Sequence, residues 1–241
     1  SPRWYFNPQM TSVQKTGGEI PVATNIGKVT NPNTETRIVN TSIGTMAINP
    51  NVIVYPSLNQ QCEIYMTRDH NNPQILYVAS QNIRGSSINA GTYVSTNGGT
   101  SWFGSDTMAA PSLADQRGDP GPTIDKNGRF IYTHLTSTTN FGGLKGMGAN
   151  YSTNKGLTWS ATFDVVIDAN CDKNLANTDD VPGSPFYGNS YMAWTSFGTT
   201  PGNGRMSRTT DGGVTWSPQL VINATPTGHN AQGHDVVVGV N

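Results

Sequence analysis

The chain has 241 residues, of which only 12% are charged, and its formal net charge is −1 at pH 7. A nearly neutral chain lacks the basic stripe of a nucleic-acid-binding protein, so that class is not expected. No apolar run approaches the roughly 18 residues that a membrane span needs, so no membrane-spanning segment is expected either.

The N-terminal part, residues 1–58, is expected to form an extension followed by a degenerate or partial repeat unit. Its sequence becomes strand-like only after residue 34, and strands are predicted at 36–39, 44–48 and 52–55. Short apolar runs bounded by Gly, Pro and Asn are typical of all-β proteins.

Three longer units follow, each with four predicted short strands. The strands lie at 62–67, 74–80, 92–95 and 101–105 in unit 59–110, at 123–125, 130–135, 148–152 and 157–166 in unit 111–168, and at 184–187, 191–196, 205–208 and 215–222 in unit 169–224. Residues 225–241 are expected to supply the first strand of a further unit, at 234–238. No segment shows the period of a helix.

An octapeptide recurs once in each of these three units, at 95–102, 152–159 and 209–216. Its pattern is [Ser/Thr]-Thr-[Asn/Asp]-x-Gly-x-[Thr/Ser]-Trp, and its tryptophans, Trp102, Trp159 and Trp216, are 57 residues apart. A fixed spacing of this size indicates a repeat architecture. The Asn or Asp can accept backbone hydrogen bonds from a turn, and the Gly can adopt positive φ. We therefore predict a structural role for Asn97, Gly99, Trp102, Asn154, Gly156, Trp159, Asp211, Gly213 and Trp216.

The octapeptide resembles the Asp box, Ser-x-Asp-x-Gly-x-Thr-Trp, of the bacterial neuraminidase repeat found in sialidases and other β-propellers. Asn97 and Asn154 replace the usual Asp, and Thr209 replaces the usual Ser. The resemblance implies an all-β fold, a β-propeller of four-stranded antiparallel blades with Asp-box turns. It also implies that the boxes lie opposite the sialidase active site and are not catalytic.

The number of blades is not fixed by the repeats. Either the N-terminal strands complete a small ring together with 234–241, or the chain is a partial ring that belongs to a larger propeller, since propellers commonly have about four to eight blades. The second alternative is favoured, because the sequence ends where a new unit begins.

Aspartates recur near the predicted beginnings of three units, at Asp119, Asp180 and Asp235. If the units are equivalent, these carboxylates converge and could bind a hard cation such as Ca²⁺ or act as acid and base. The alternative is that each aspartate caps the loop entering its blade. His234 joins the candidate binding residues, and Asp119, Asp180, Arg117 and Arg84 are the candidate catalytic residues.

A sialidase-type site would require three arginines, a Tyr–Glu pair and an acid/base Asp. The family's first arginine motif, Phe/Tyr-Arg-Ile-Pro, is matched only partly by residues 36–39, and no motif assigns the other roles. A two-carboxylate glycosidase needs less, and Asp119 with Asp180 is the pair to test.

The favoured function is therefore a non-catalytic binding or scaffold module for a glycan or a protein partner, without a required cofactor. The alternatives are a sialidase-type glycoside hydrolase seen as a fragment and a surface-displayed cargo of a secretion or assembly system. The Thr-, Asn- and Gly-rich composition suggests secretion or display at the cell surface. Cys62 and Cys171 permit one disulfide or two unrelated thiols.

Overall fold

The structure, a computed structural model, describes residues 37–41, 44–48, 52–85, 87–111, 116, 118–138, 143–198, 203–223 and 231–239. The chain divides into two compact units, Ser1–Pro50 and Asn51–Asn241. In the first unit, strands β1 (Arg37–Thr41) and β2 (Gly44–Ile48) form an antiparallel hairpin in which Arg37 pairs with Ile48. This hairpin confirms two of the strands expected in the N-terminal part.

The second unit contains three four-stranded antiparallel sheets, and within each sheet the strands are paired in chain order. The described residues form no helix. The sheets consist of β3 (Gln60–Arg68), β4 (Leu76–Arg84), β5 (Ser87–Ser95) and β6 (Phe103–Ser105); β7 (Gly121–Ile124), β8 (Phe130–Ser137), β9 (Leu144–Ser152) and β10 (Phe163–Ile167); and β11 (Cys171–Thr178), β12 (Ser190–Ser196), β13 (Gly204–Thr209) and β14 (Leu220–Val221).

Neighbouring sheets pack face to face through apolar side chains. Tyr77 of β4 stacks on Phe130 of β8, with ring centroids 4.8 Å apart, and Trp159 lies in the same cluster. A second cluster joins the second sheet to the third through residues such as Met147 and Trp194. Because the first strands β3, β7 and β11 also contact one another in succession, they form the inner edge of three consecutive blades. The predicted β-propeller architecture is thereby confirmed.

The three octapeptides form the same turn, as their sequences predict. In each turn the Asn or Asp Oδ1 accepts the backbone N–H of the residue four positions later, at 2.9 Å. The glycine at the fifth position of each box, Gly99, Gly156 or Gly213, has a φ of 82–89° and donates its N–H to the first hydroxyl of the box.

The first strand of the third blade was predicted wrongly. It is Cys171–Thr178, whereas residues 184–187 lie in turns. This strand has no apolar alternation, because its polar side chains bond to the neighbouring blade: Asn174 Nδ2 donates to Thr133 Oγ1 at 2.7 Å. Thr178 and Thr123 hydroxyls lie 3.0 Å apart in the same interface.

Two further predicted strands are absent from the described residues. Residues 52–55 are irregular, and Tyr55 packs on Tyr93 with ring centroids 4.9 Å apart. Residues 231–239 form no strand, but Val236 O accepts a hydrogen bond from Asn177 Nδ2 at 3.2 Å.

Candidate functional site at the start of the inner strands

One backbone position is strained in the same way in all three blades. Glu63, Asp119 and Lys173 have φ values of 51°, 52° and 37°. They are separated by 56 and 54 residues: Glu63 and Lys173 lie at the β-bulges near the starts of β3 and β11, and Asp119 lies two residues before β7. Positive φ is unfavourable for residues with a side chain, and three such residues at one repeat position indicate a site that the surrounding structure maintains.

These three residues, which we call the inner-strand cluster, contact one another across the blades. The backbone N–H of Lys173 donates to Asp119 Oδ2 at 3.0 Å. The Lys173 Nζ lies 3.2 Å from Glu63 Oε2 in an ion pair, and the Glu63 and Asp119 carboxyls share a hydrogen bond. The cluster therefore joins the inner strands of all three blades.

The cluster is anchored on its other sides as well. The backbone N–H of Asp119 donates to Gln81 Oε1 of β4 at 3.3 Å. The Lys173 ammonium lies 4.8 Å from the centre of the Tyr65 ring, which is a cation–π contact. Asp119 is 7% exposed, whereas the Glu63 side chain is 37% exposed. A ligand would therefore meet Glu63 first.

The two carboxyls are driven towards different protonation states. Burial raises the pKa of Asp119 to about 7, with further contributions from the hydrogen bond and the negative charge of Glu63. The hydrogen bond from Asp119 lowers the pKa of Glu63, and the Lys173 charge lowers it further against the effect of burial. At neutral pH, Glu63 is ionised while Asp119 is shared between its protonated and ionised forms.

A buried phenol is affected by the charges of this pair. Tyr132 is fully buried, and its hydroxyl has no hydrogen-bond partner among the described residues. Burial raises the pKa of Tyr132, and the charges of Tyr93, Asp119 and Glu63 raise it further, so the hydroxyl lies within electrostatic range of both carboxyls. Asn174, next to Lys173, likewise has a buried Oδ1 without a partner in the described part of the chain.

The predicted convergence of Asp119, Asp180 and Asp235 is wrong. Asp180 follows the end of β11 rather than its start, and it pairs with His70 Nδ1 at 2.9 Å. Asp235 is exposed and accepts the backbone N–H of Val236. No group of three or more His, Cys, Asp or Glu side chains with metal-binding geometry occurs in the described ranges. The carboxyl partner of Asp119 is Glu63, not Asp180.

Two of the other candidate residues, His234 and Arg84, are described by the structure. His234 Nδ1 lies 3.1 Å from Thr195 Oγ1, and burial lowers the pKa of this histidine. Arg84 is exposed at the end of β4, and Arg117 lies outside the described residues. Cys62 and Cys171 are both free thiols, so the disulfide alternative is not realised in this structure.

Sequence reasoning missed Glu63 and Lys173, although a second repeat marks their position. Each member of the cluster precedes a buried aspartate by six residues, at Asp69, Asp125 and Asp179. Each of these aspartates accepts backbone N–H bonds in the turn that follows the inner strand. Counting six residues back from each of these aspartates would have identified the three cluster positions as equivalent, although their side chains differ.

No family model matches the sequence, and no curated protein matches it. Within the part that the structure describes, no helix is long and apolar enough to cross a membrane.

Among solved structures, a protein of unknown function from Dyadobacter fermentans is similar with a TM-score of 0.50 and 17% identity over 75% of this chain and 56% of that one. A Hadza microbial sialidase gives a TM-score of 0.48 and 13% identity over 69% of this chain and 34% of that one. An exo-β-1,3-galactanase from Phanerochaete chrysosporium gives a TM-score of 0.48 and 14% identity over 80% of this chain and 43% of that one.

The chain thus spans less than two thirds of each of these structures. At such identities the likenesses concern the fold alone.

Proposed function

We propose that this chain is part of a secreted or surface-displayed Asp-box β-propeller that binds a glycan at the inner-strand cluster. The observation that carries this proposal is the positive φ of Glu63, Asp119 and Lys173 at one repeat position. Each such conformation costs on the order of 1–3 kcal/mol, and glycine would adopt it at little cost. Retaining three charged side chains there, in mutual contact, supports a role in ligand binding.

The chemistry of the cluster suits a polyhydroxylated ligand. The ionised Glu63 accepts hydrogen bonds, the protonated fraction of Asp119 donates one, and Lys173 donates through its ammonium. Hydrogen bonds to charged groups contribute about 1.5–3 kcal/mol each, so a few of them give a useful affinity for a sugar. The Asp-box resemblance favours a carbohydrate ligand but assigns no role to any residue.

Hydrolysis of a glycosidic bond is the second candidate function, and the split pKa values favour it. A carboxyl with a raised pKa beside an ionised one is the pattern of a general acid and its partner. Glycosidase carboxyls are about 5–5.5 Å apart in retaining enzymes and about 6.5–9.5 Å apart in inverting ones. The hydrogen-bonded Glu63 and Asp119 are closer than this, so hydrolysis would require them to separate. Binding without hydrolysis is therefore the simpler proposal.

Two other functions remain compatible with the same propeller. A protein partner could occupy the cluster instead of a glycan, and a displayed cargo domain could carry the propeller without using the cluster. Neither is supported by a specific contact of the described residues.

A glycan array followed by calorimetry tests the proposal. The native protein should bind at least one glycan family, and Asp119→Ala should weaken that binding about tenfold or more, since it removes the carboxyl that bonds to Glu63 and accepts the Lys173 N–H. Asp180→Ala is the matched control, because Asp180 lies at the other end of an inner strand. Release of reducing sugar from the bound glycan would instead establish hydrolysis. Absence of binding to every glycan would refute the proposal.

A further inference from the structure

We infer that the inner-strand cluster takes an uncharged sugar and discriminates against sialylated and uronic-acid glycans. This inference rests on the proposed glycan-binding function and specifies its ligand class. It comes from the charge balance of the cluster and from unpaired buried polar atoms beside it.

The cluster holds no spare positive charge for a ligand carboxylate. Lys173 is the cation within ion-pair distance of Glu63, and no other described cation lies that close to either carboxyl of the pair. Since Lys173 is already neutralised by Glu63, any ionised fraction of Asp119 leaves the cluster net negative. A carboxylate brought to this place would meet like charge, which is an effective means of rejecting a ligand.

Three described arginines are engaged or placed elsewhere, and Arg84, which follows Ile83 opposite Gln60, is a single arginine and cannot form a fork. Arg129 donates through Nη1 to Asp211 O in a box turn, at 2.7 Å. Arg205 is buried and donates through Nη1 to Gly204 O at 3.2 Å. Arg68 stands at the other end of β3 from Glu63. A fork of arginines around a carboxylate is therefore not formed at the cluster by the part of the chain that the structure describes.

Two buried polar atoms indicate what the site still lacks. The Tyr132 hydroxyl and the Asn174 Oδ1 are buried without partners among the described residues, and an unmet buried polar group costs about 1–3 kcal/mol. The carboxyl charges act on the Tyr132 phenol, so this unmet hydroxyl belongs to the same electrostatic environment. Hydroxyl groups, of a sugar or of water carried with it, can both donate and accept and so suit both atoms. A carboxylate accepts only and cannot satisfy Asn174 Oδ1.

The test uses pairs of glycans that differ in one carboxylate. Lactose is compared with 3′-sialyllactose, and methyl-esterified galacturonan oligomers are compared with the free acids. The native protein should bind the uncharged member of the bound pair about tenfold more tightly, corresponding to one screened like-charge contact. Equal or tighter binding of the acidic member would overturn the inference while leaving the glycan-binding proposal intact. If no glycan binds, the proposed function fails and this inference fails with it.

Charge substitutions provide the second arm of the test. Glu63→Gln leaves Lys173 without its counter-charge, and the preference should move about tenfold towards the acidic glycan. Lys173→Met should move it in the opposite direction by a similar factor. An unchanged preference in both variants would contradict the charge-balance argument, and because the two variants act in opposite directions, a folding defect in one leaves the other as the measurement. Asp180→Asn should leave the preference as it is in the native protein.

Discussion

Lys173 donates its backbone N–H to Oδ2 of Asp119 at 3.0 Å, although the two residues belong to different blades. Both residues have positive φ, at equivalent positions of successive blades. The same lysine reaches Glu63 of the first described blade through its ammonium group. One repeat position thus connects three sheets through three different side chains.

The pH dependence of stability should report the protonation of Asp119. Its pKa is raised to about 7, so the folded protein retains a proton that the unfolded chain releases near pH 4. This stabilising contribution is complete below about pH 4 and declines as the pH rises through 7, by on the order of 1–3 kcal/mol. The lowered pKa of Glu63 acts in the opposite sense, since its contribution is lost at acidic pH.

Asp119→Asn should abolish the decline between pH 4 and pH 7, because the amide does not titrate. Urea unfolding at a series of pH values measures this, with Asp235→Asn as the exposed control. A decline of unchanged size in Asp119→Asn would show that another group causes it.

The box turn of the second blade carries a backbone strain that the other two boxes avoid. Lys155 has a φ of 57°, and the corresponding residues are Gly98 and Gly212. Lys155→Gly should therefore stabilise the protein by about 1 kcal/mol, since glycine adopts this conformation without a steric penalty. Thermal unfolding checks the prediction, and a lower melting temperature for Lys155→Gly would contradict it.

The same substitution at the cluster, Lys173→Gly, separates the effect of backbone strain on stability from the effect of the side chain on binding. It relieves the same kind of strain but removes the ion pair with Glu63, so stability should change by less than about 1 kcal/mol while glycan affinity falls. A stability loss well above that value would indicate that Lys173 serves mainly to hold the blades together.

The tryptophan of the second box should be the most costly to truncate. Trp159 is 5% exposed and lies between Tyr77 and Tyr132, with ring centroids 5.8 and 6.1 Å away. Trp159→Ala should destabilise the protein by about 3–5 kcal/mol. Trp102→Ala should cost less, because Trp102 is only half-buried. Equal losses for the two variants would refute the packing difference.

Asn154→Asp should fold normally, since its Oδ1 keeps the bond to the Thr158 N–H at 2.9 Å. In the native protein the side-chain amide of Asn154 donates a hydrogen bond from Nδ2 to Thr158 Oγ1. In the variant this hydrogen bond would be replaced by one in which the Thr158 hydroxyl donates to the new carboxylate, as Thr215 Oγ1 donates to Asp211 Oδ2 at 2.6 Å. Circular dichroism and thermal unfolding measure the outcome. Loss of folding would show that the amide is needed.

The sequence predicted the parts of the fold that repeat by residue type. Each box presents the same turn chemistry and one Trp, so the three blades and their turns could be located from spacing alone. Strand Cys171–Thr178 could not be located in this way, because it has no apolar alternation and its polar side chains form hydrogen bonds to the neighbouring blade.

The candidate site was predicted only in part for a related reason. Asp119 was identified, but its partners occupy equivalent positions as Glu and Lys, so a search for recurring aspartates passed over them. Asp180 was chosen instead because the first strand of its blade was predicted at 184–187, whereas Asp180 follows the actual first strand, β11. Three-dimensional equivalence, not residue identity, determines which side chains meet at the inner strands.

The most direct test of the account is to map where a glycan binds by following backbone amide NMR shifts as the glycan that binds best on the array is added. We predict that the largest shifts cluster at residues 61–65, 118–121 and 171–175, where the three inner strands begin. Shifts concentrated at the box turns 95–102, 152–159 and 209–216 would contradict the assignment of the inner-strand cluster as the binding site.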